Sequence, residues 1–118
     1  MRARLWIFEI LVLITAACSV ASAECNIHTA IAPATATADH AAAAPGNEVQ
    51  FSLTSTVEGN CPMIPDRIGE WSTSDPASTM ISTKGLATCA NATPEPVTIR
   101  NSGMVRGRPY PSATLVCK

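Results

Sequence analysis

One short stretch constrains the fold of this chain more than any other: Trp71-Ser72-Thr73-Ser74-Asp75-Pro76, followed by a glycine at Gly85. A large aromatic residue followed by small hydroxyl residues suits a strand that buries one ring and exposes hydroxyls to water. The Asp-Pro pair then ends the strand, because proline has no backbone donor, and Gly85 marks a turn before the next strand. The stretch therefore predicts two strands organised around a buried Trp71, as in a small β-sandwich.

The first 23 residues have the features of a secretory signal peptide. Two arginines precede an apolar run over residues 5–17, and the small residues Ala21-Ser22-Ala23 stand before an expected cleavage site at Glu24. The run is shorter than the roughly 20 apolar residues that cross a bilayer comfortably. We therefore expect a mature chain of residues 24–118, long enough for one domain, with no membrane span after cleavage.

The leader leaves two alternatives to soluble export open. Cys18 follows Ala16-Ala17, as in a lipoprotein signal whose cysteine is lipidated, although Thr15 stands where an aliphatic residue is usual. Glu9 interrupts the apolar run, and a retained signal anchor is the other alternative. The expected location is secreted or periplasmic, with a lipid anchor at Cys18 as the main alternative.

Four cysteines remain after the leader: Cys25, Cys61, Cys89 and Cys117. In fewer than about 100 residues behind a secretory signal, such a set favours two disulfides. The alternative is one disulfide and two buried thiols. Because the chain contains no Cys-x-x-Cys pair, neither a zinc ribbon nor a thioredoxin-type redox site is expected.

The charge of the mature region argues against two classes of partner. The formal net charge of the chain is −1, and removing two arginines and one glutamate with the leader leaves 6 basic and 8 acidic residues, or −2. Nucleic acids and anionic membrane surfaces are bound by basic surfaces. We therefore expect no nucleic-acid partner and no membrane-surface partner.

Short patterned runs predict about seven strands. The clearest covers residues 48–57, in which alternate residues from Val49 to Val57, including Phe51 and Leu53, fall on one face. The other predicted strands are residues 33–38, 67–73, 77–82, 86–90, 97–100 and 112–117, whereas residues 24–31 are expected to be a short lead-in, and residues 59–65 and 103–111 loops. Short strands with turns every 8 to 12 residues or so are typical of an immunoglobulin-like sandwich.

The mature chain resembles bacterial immunoglobulin-like domains of group 2, which occur in intimin- and invasin-type adhesins. The resemblance covers residues 31–118, and it is most specific at Trp71-Ser72-Thr73-Ser74-Asp75-Pro76 with the downstream Gly85-Leu86-Ala87-Thr88. The other similar segments are the turn and strand at residues 45–51 and the last two strands at residues 97–99 and 113–116.

The resemblance implies an all-β, immunoglobulin-like fold and a noncatalytic structural or adhesion role in the bacterial cell envelope. The chain departs from the family pattern at Pro96, where a glycine is usual before the penultimate strand. The four cysteines and the loop at residues 59–65 are also outside the general pattern. These departures concern the subgroup and the function of the loops rather than the fold.

In such a sandwich, the alternating direction of successive strands predicts which cysteines pair. Cys25 precedes the first strand and Cys61 follows the second, so both lie at one pole. Cys89 ends the fifth strand and Cys117 ends the seventh, so both lie at the opposite pole. We therefore predict the disulfides Cys25–Cys61 and Cys89–Cys117.

Catalysis and metal binding are not supported by a compact motif. A nucleophilic triad needs a histidine beside a serine or cysteine, and His28 and His40 both lie in the N-terminal region, outside the convincing strands. Together with Met63, Met80 and Met104 they are ligand types that exported copper proteins use, but they are scattered. We expect no enzyme activity, cofactor or metal; a periplasmic copper binder is the first alternative, and a small secreted enzyme the second.

Recognition in a sandwich is carried by loops at its ends, because the strands are committed to the core. The loop at residues 103–111 holds Arg106, Arg108 and Tyr110, the only tyrosine of the chain. Arginine and tyrosine are enriched where binding energy concentrates, and two prolines limit the freedom of this loop. We predict a contact site here for an acidic or glycan partner, such as an envelope protein or glycan; the alternative is a solvated loop.

Overall fold

The computed structural model describes residues 24–118, so the signal peptide, its cleavage-site alanines and Cys18 lie outside the described residues. Every regular secondary-structure element in this range is a β-strand. The eleven strands are β1 (Asn26–Ala32), β2 (Thr35–Ala38), β3 (Glu48–Gln50), β4 (Ser52–Glu58), β5 (Trp71–Thr73), β6 (Thr79–Ile81), β7 (Leu86–Cys89), β8 (Val97–Asn101), β9 (Met104–Val105), β10 (Arg108–Pro109) and β11 (Ala113–Cys117). The predicted all-β class is confirmed, although more and shorter strands form than the seven expected.

The strands form two larger sheets and two ribbons. One sheet has the order β2-β11-β8-β5, and the other has the order β3-β7-β6. The ribbons pair β1 with β4 and β9 with β10. Only β2 and β11 pair in parallel; every other pair among the described strands is antiparallel. Several sheets around one apolar cluster are consistent with a β-sandwich.

The core is built from alternate residues of strands in both larger sheets. In β8 and β11 every second side chain is buried, which is the period expected of strands with one covered face. The largest fully buried apolar side chains are Phe51, Ile99 and Leu115. Trp71 is half-buried and packs against this cluster, so it lies at the margin of the core rather than at its centre.

The predicted strand at residues 48–57 breaks at Phe51 and changes partner there. β3 pairs with β7 in the three-stranded sheet, whereas β4 pairs with β1. Phe51 is fully buried, but Leu53 and Val57 are 38% and 37% exposed. The predicted continuous strand is therefore interrupted, and its apolar face is well covered only as far as Phe51, because β7 begins only after a turn at Gly85 and does not extend alongside β4.

The expected lead-in at residues 24–31 is also wrong, because Asn26–Ala32 is a seven-residue strand. It pairs along its whole length with β4, from Asn26 opposite Glu58 to Ala32 opposite Ser52. We call this pair the β1–β4 ribbon. The alternation of apolar and polar residues in β1 is weak, because small and polar residues separate its two isoleucines.

Two disulfides stabilise opposite ends of the molecule. Cys25–Cys61 closes the far end of the β1–β4 ribbon, since Cys25 precedes β1 and Cys61 follows β4. Cys89–Cys117 joins β7 to β11, and both of its residues are 1% exposed. These are the two pairs expected from the strand directions. Two disulfides are compatible with an extracytoplasmic location, and no helix among residues 24–118 could span a membrane.

Candidate binding surface

The segment expected to be a loop at residues 103–111 contains a β-hairpin. β9 and β10 pair in antiparallel, with Val105 opposite Arg108 and Met104 opposite Pro109. The two connecting residues, Arg106 and Gly107, have φ values of 47° and 84°. Two positive φ values in a two-residue connection are the geometry of a type I′ turn, which matches the twist of the flanking strands.

Arg106 occupies an unusual position for its residue type. The first central position of a type I′ turn favours asparagine, aspartate or glycine, because other side chains tolerate positive φ poorly. Arg106 is the only non-glycine residue with a positive φ among residues 24–118. Such backbone strain is often kept where a side chain is needed for function.

The long segment after β4 is held against this hairpin by the backbone. Arg67 and Met104 exchange two backbone hydrogen bonds, with N···O distances of 2.9 and 3.0 Å. One carboxylate oxygen of Asp66 accepts a hydrogen bond from the Arg106 backbone N–H at 3.0 Å. The tip of the hairpin and the end of the preceding loop therefore form one unit.

A shallow depression lies between the loop and the hairpin. It has a volume of about 350 Å³ and is lined by Met63, Ile64, Pro65, Asp66 and Arg106. Met63 is 86% exposed and Ile64 is 50% exposed. Solvent-exposed apolar side chains therefore lie next to the two charged residues that line the depression, Asp66 and Arg106.

The β1–β4 ribbon lies at the same end of the molecule. The Thr29 hydroxyl donates a hydrogen bond to the Pro109 carbonyl at 2.7 Å, which connects β1 to β10. We call the surface formed by the β1–β4 ribbon, residues 59–66 and the β9–β10 hairpin the loop end. Its exposed apolar side chains are Leu53, Val57, Met63 and Ile64.

The structure separates the three residues predicted to bind a partner. Arg106 lines the depression, and Arg108 is exposed on β10. Tyr110 is half-buried and packs against the core cluster, so its ring is only partly accessible. The sequence analysis names Met63 only as a scattered metal-ligand type and does not name Ile64, although two apolar residues between Pro62 and Pro65 in a loop are a usable signal of a binding surface.

The candidate metal ligands lie on separate elements of the structure. His28 is in β1, Met80 in β6 and Met104 in β9. His40 lies in a turn, where its Nδ1 contacts the Lys118 carbonyl. Among residues 24–118 no group of three or more His, Cys, Asp and Glu side chains is positioned to hold a metal ion.

A second depression lies beside Trp71. It has a volume of about 270 Å³ and is lined by Gly69, Glu70, Trp71, Ser82 and Thr83. The walls combine one face of a half-buried indole with hydroxyl groups and a carboxylate. None of the residues predicted from the sequence to bind a partner lines this depression.

Known proteins provide no family assignment for this chain. No protein-family model matches it, and no curated protein matches it. Function is therefore inferred from the residues at the loop end.

Proposed function

We propose that this chain is an exported, noncatalytic immunoglobulin-like domain, of the bacterial group 2 type, that binds an envelope partner through its loop end. The strand order supports the fold. With β4 and β3 taken as one interrupted strand, one sheet runs β1-β4/β3-β7-β6 and the other β2-β11-β8-β5. Immunoglobulin sandwiches have strands A, B, E and D in one sheet and C, F and G in the other. The order here is the same: β1, β4/β3, β7 and β6 correspond to A, B, E and D, and β5, β8 and β11 correspond to C, F and G. β2 corresponds to a continuation of strand A that pairs in the other sheet.

The disulfides support the proposed export. Small domains that function outside the cytoplasm use disulfides to supplement a limited core, whereas cytoplasmic proteins rarely keep them. Cys89–Cys117 links the two larger sheets through the core, and Cys25–Cys61 closes the exposed ribbon. Together with the signal-like leader, they favour a secreted or periplasmic domain.

One observation carries the binding proposal: Arg106 holds a left-handed turn position that asparagine would occupy with less strain. Its side chain lines a depression whose other wall contains the exposed Met63 and Ile64. A cation beside exposed apolar groups is suited to a partner that presents an acidic group next to an apolar one.

Arg106→Asn tests this proposal because it separates stability from binding. Asparagine is preferred in the type I′ turn, so we expect the variant to be as stable as the wild type or slightly more stable. It should nevertheless recover less of its partners from an envelope extract. Arg100→Asn is the matched control, since Arg100 is exposed on β8, which is a strand of the four-stranded sheet and not part of the loop end.

Met63→Ser tests the apolar wall in the same assay. Met80→Ser is the matched control, because Met80 is also an exposed methionine but lies on β6. We expect Met63→Ser to lower recovery and Met80→Ser to leave it unchanged. If the Arg106 and Met63 variants fold and recover the same partners at the wild-type yield, the loop end is not the binding site.

A further inference from the structure

The second candidate interaction site is the open edge of β4. One edge of Ser52–Glu58 pairs with β1. Among residues 24–118 no strand pairs with the other edge, because β7 pairs only with β3 and is preceded by a turn at Gly85. Seven consecutive residues therefore present an unpaired backbone edge.

The direction of the backbone groups on this edge follows from Phe51. Its N–H donates a hydrogen bond to the Gly85 carbonyl at 2.8 Å, on the side away from β1. In an extended strand, alternate residues direct their N–H and C=O groups to the same edge. Leu53, Ser55 and Val57 therefore direct these groups to the open edge.

This edge lacks the features by which proteins protect open strands. Exposed edges usually carry charged residues, proline or a bulge, which prevent pairing with another chain. Ser52–Glu58 contains no proline, and its one charged residue is the last, Glu58, so residues 52–57 (Ser-Leu-Thr-Ser-Thr-Val) carry no charge. Such an edge is a template for an added strand.

We propose that the open edge of β4 pairs with the same edge of a second copy of this chain, antiparallel and centred on Ser55. In this register Leu53 lies opposite Val57 of the second copy, and Thr54 lies opposite its Thr56. Ser52 lies opposite Glu58, so no like charges meet. The strand sequence is therefore chemically symmetric about its central serine.

The pairing also completes two apolar rows across the dimer. Within one chain, Ile27 lies opposite Val57, and Ile31 lies opposite Leu53. In the dimer, Leu53 of the second copy lies next to Val57, and Ile31 of the second copy lies next to that Leu53. Four apolar side chains, one from each strand, therefore form a row across one face of a four-stranded sheet. Cross-strand pairs of this kind stabilise antiparallel sheets. The partly exposed Leu53 and Val57 thereby gain an apolar neighbour.

The two ends of the open edge are a turn toward β1 after Glu58 and, beside Ser52, the turn between β6 and β7. Beyond Glu58 the chain turns toward β1, where Gly59 lies against the Glu24 carbonyl, so it leaves the edge free. At the other end, the turn between β6 and β7 holds Lys84, whose carbonyl accepts a hydrogen bond from the Gln50 side chain at 2.8 Å. Glu58 of the second copy would arrive beside Lys84. Opposite charges at this point favour the proposed register.

Sedimentation velocity of the purified protein, expressed from the full chain, tests the proposal. Wild-type protein should shift from monomer to dimer over a roughly hundredfold rise in concentration, as mass action requires. Ser55→Lys should stay monomeric over that range, because two lysines would meet at the two-fold axis. Ala30→Lys is the matched control; it adds the same charge to β1 of the same ribbon, away from the open edge, and should dimerise like the wild type.

Mixing two variants tests the register. Ser55→Glu alone should also be monomeric, whereas an equal mixture of Ser55→Lys and Ser55→Glu should form a heterodimer. Hydrogen exchange of the wild type gives a readout without substitution: the amides of Leu53, Ser55 and Val57 should be more protected at high concentration than at low concentration. A wild type that stays monomeric, a Ser55→Lys dimer, or a mixture that fails to associate would each overturn the proposal.

Discussion

The indole of Trp71 lies directly against the backbone of Gly85. A Cβ atom added to Gly85 would stand 2.9 Å from Cε2 and 3.0 Å from Cζ2 of the ring. Trp71 begins β5 of the four-stranded sheet, and Gly85 directly precedes β7 of the three-stranded sheet. The missing side chain of one residue therefore allows the ring of the other to pack between the two sheets.

Gly85→Ala should be markedly more destabilising than Gly107→Ala. Both glycines have positive φ, 85° and 84°, so the backbone strain of alanine is similar at the two sites. An alanine at Gly107 would meet only the Ile64 side chain at 3.7 Å, whereas one at Gly85 would collide with the Phe51 carbonyl oxygen at 2.6 Å and with the Trp71 ring. We expect losses of unfolding free energy of about 1 kcal/mol at Gly107 and about 3 kcal/mol at Gly85. Urea denaturation measures both, and equal losses would contradict the close packing described around Gly85.

Phe51→Ala and Leu53→Ala should differ strongly in stability although the two residues are neighbours on one face. Phe51 is fully buried and should lose about 4 kcal/mol of unfolding free energy through the cavity it leaves. Leu53 is more than a third exposed, and its truncation should cost about 1 kcal/mol, since less apolar area is lost from the interior. Thermal and urea unfolding of the two variants, at a concentration low enough to exclude association, would test this. Similar losses would mean that β4 is covered.

The two disulfides should differ in their susceptibility to reduction in the native state. Thiol–disulfide exchange requires access to a sulfur atom, and Cys25 is exposed whereas Cys89 and Cys117 are buried. Mild reductant should therefore open Cys25–Cys61 first, as mapped by alkylation and mass spectrometry. Earlier labelling of Cys89 or Cys117 would be inconsistent with their burial.

Removal of the buried disulfide should destabilise the whole domain. Cys89 and Cys117 are separated by 28 residues. A loop of this size corresponds to roughly 3 to 4 kcal/mol in the chain-entropy description. The double variant Cys89→Ala, Cys117→Ala should show this loss in urea denaturation, and a change below about 1 kcal/mol would contradict it.

Export makes a prediction that is independent of the fold. We expect the mature chain to begin at Glu24, because small residues stand at Ala21 and Ala23. N-terminal sequencing or intact-mass measurement of protein recovered from the producing cells distinguishes the alternatives. A chain that begins at a lipid-modified Cys18 would replace soluble export with an anchored protein.

Part of the candidate site could be predicted from the sequence. Their residue types in a glycine- and proline-rich segment predict Arg106 and Arg108, and both lie in the hairpin at the loop end. The sequence does not place Met63 and Ile64 in this surface, because apolar residues in a loop have no period that assigns them to a face. Their exposure depends on what packs over residues 59–66, and that is a property of the folded molecule.

By itself the sequence determined the all-β class and the pairing of the four mature cysteines. It also determined three strands, at residues 86–90, 97–100 and 112–117, which overlap β7, β8 and β11. Period-two alternation is a local property, so it can be read without knowing the neighbours, and the cysteine pairing follows from it once a sandwich with alternating strand directions is assumed. The tertiary structure alone decided that Phe51 is central to the core and that β4, directly after it, extends away from the core and pairs with β1. A strand face is buried only where another element covers it, and at Leu53 and Val57 the cover is incomplete.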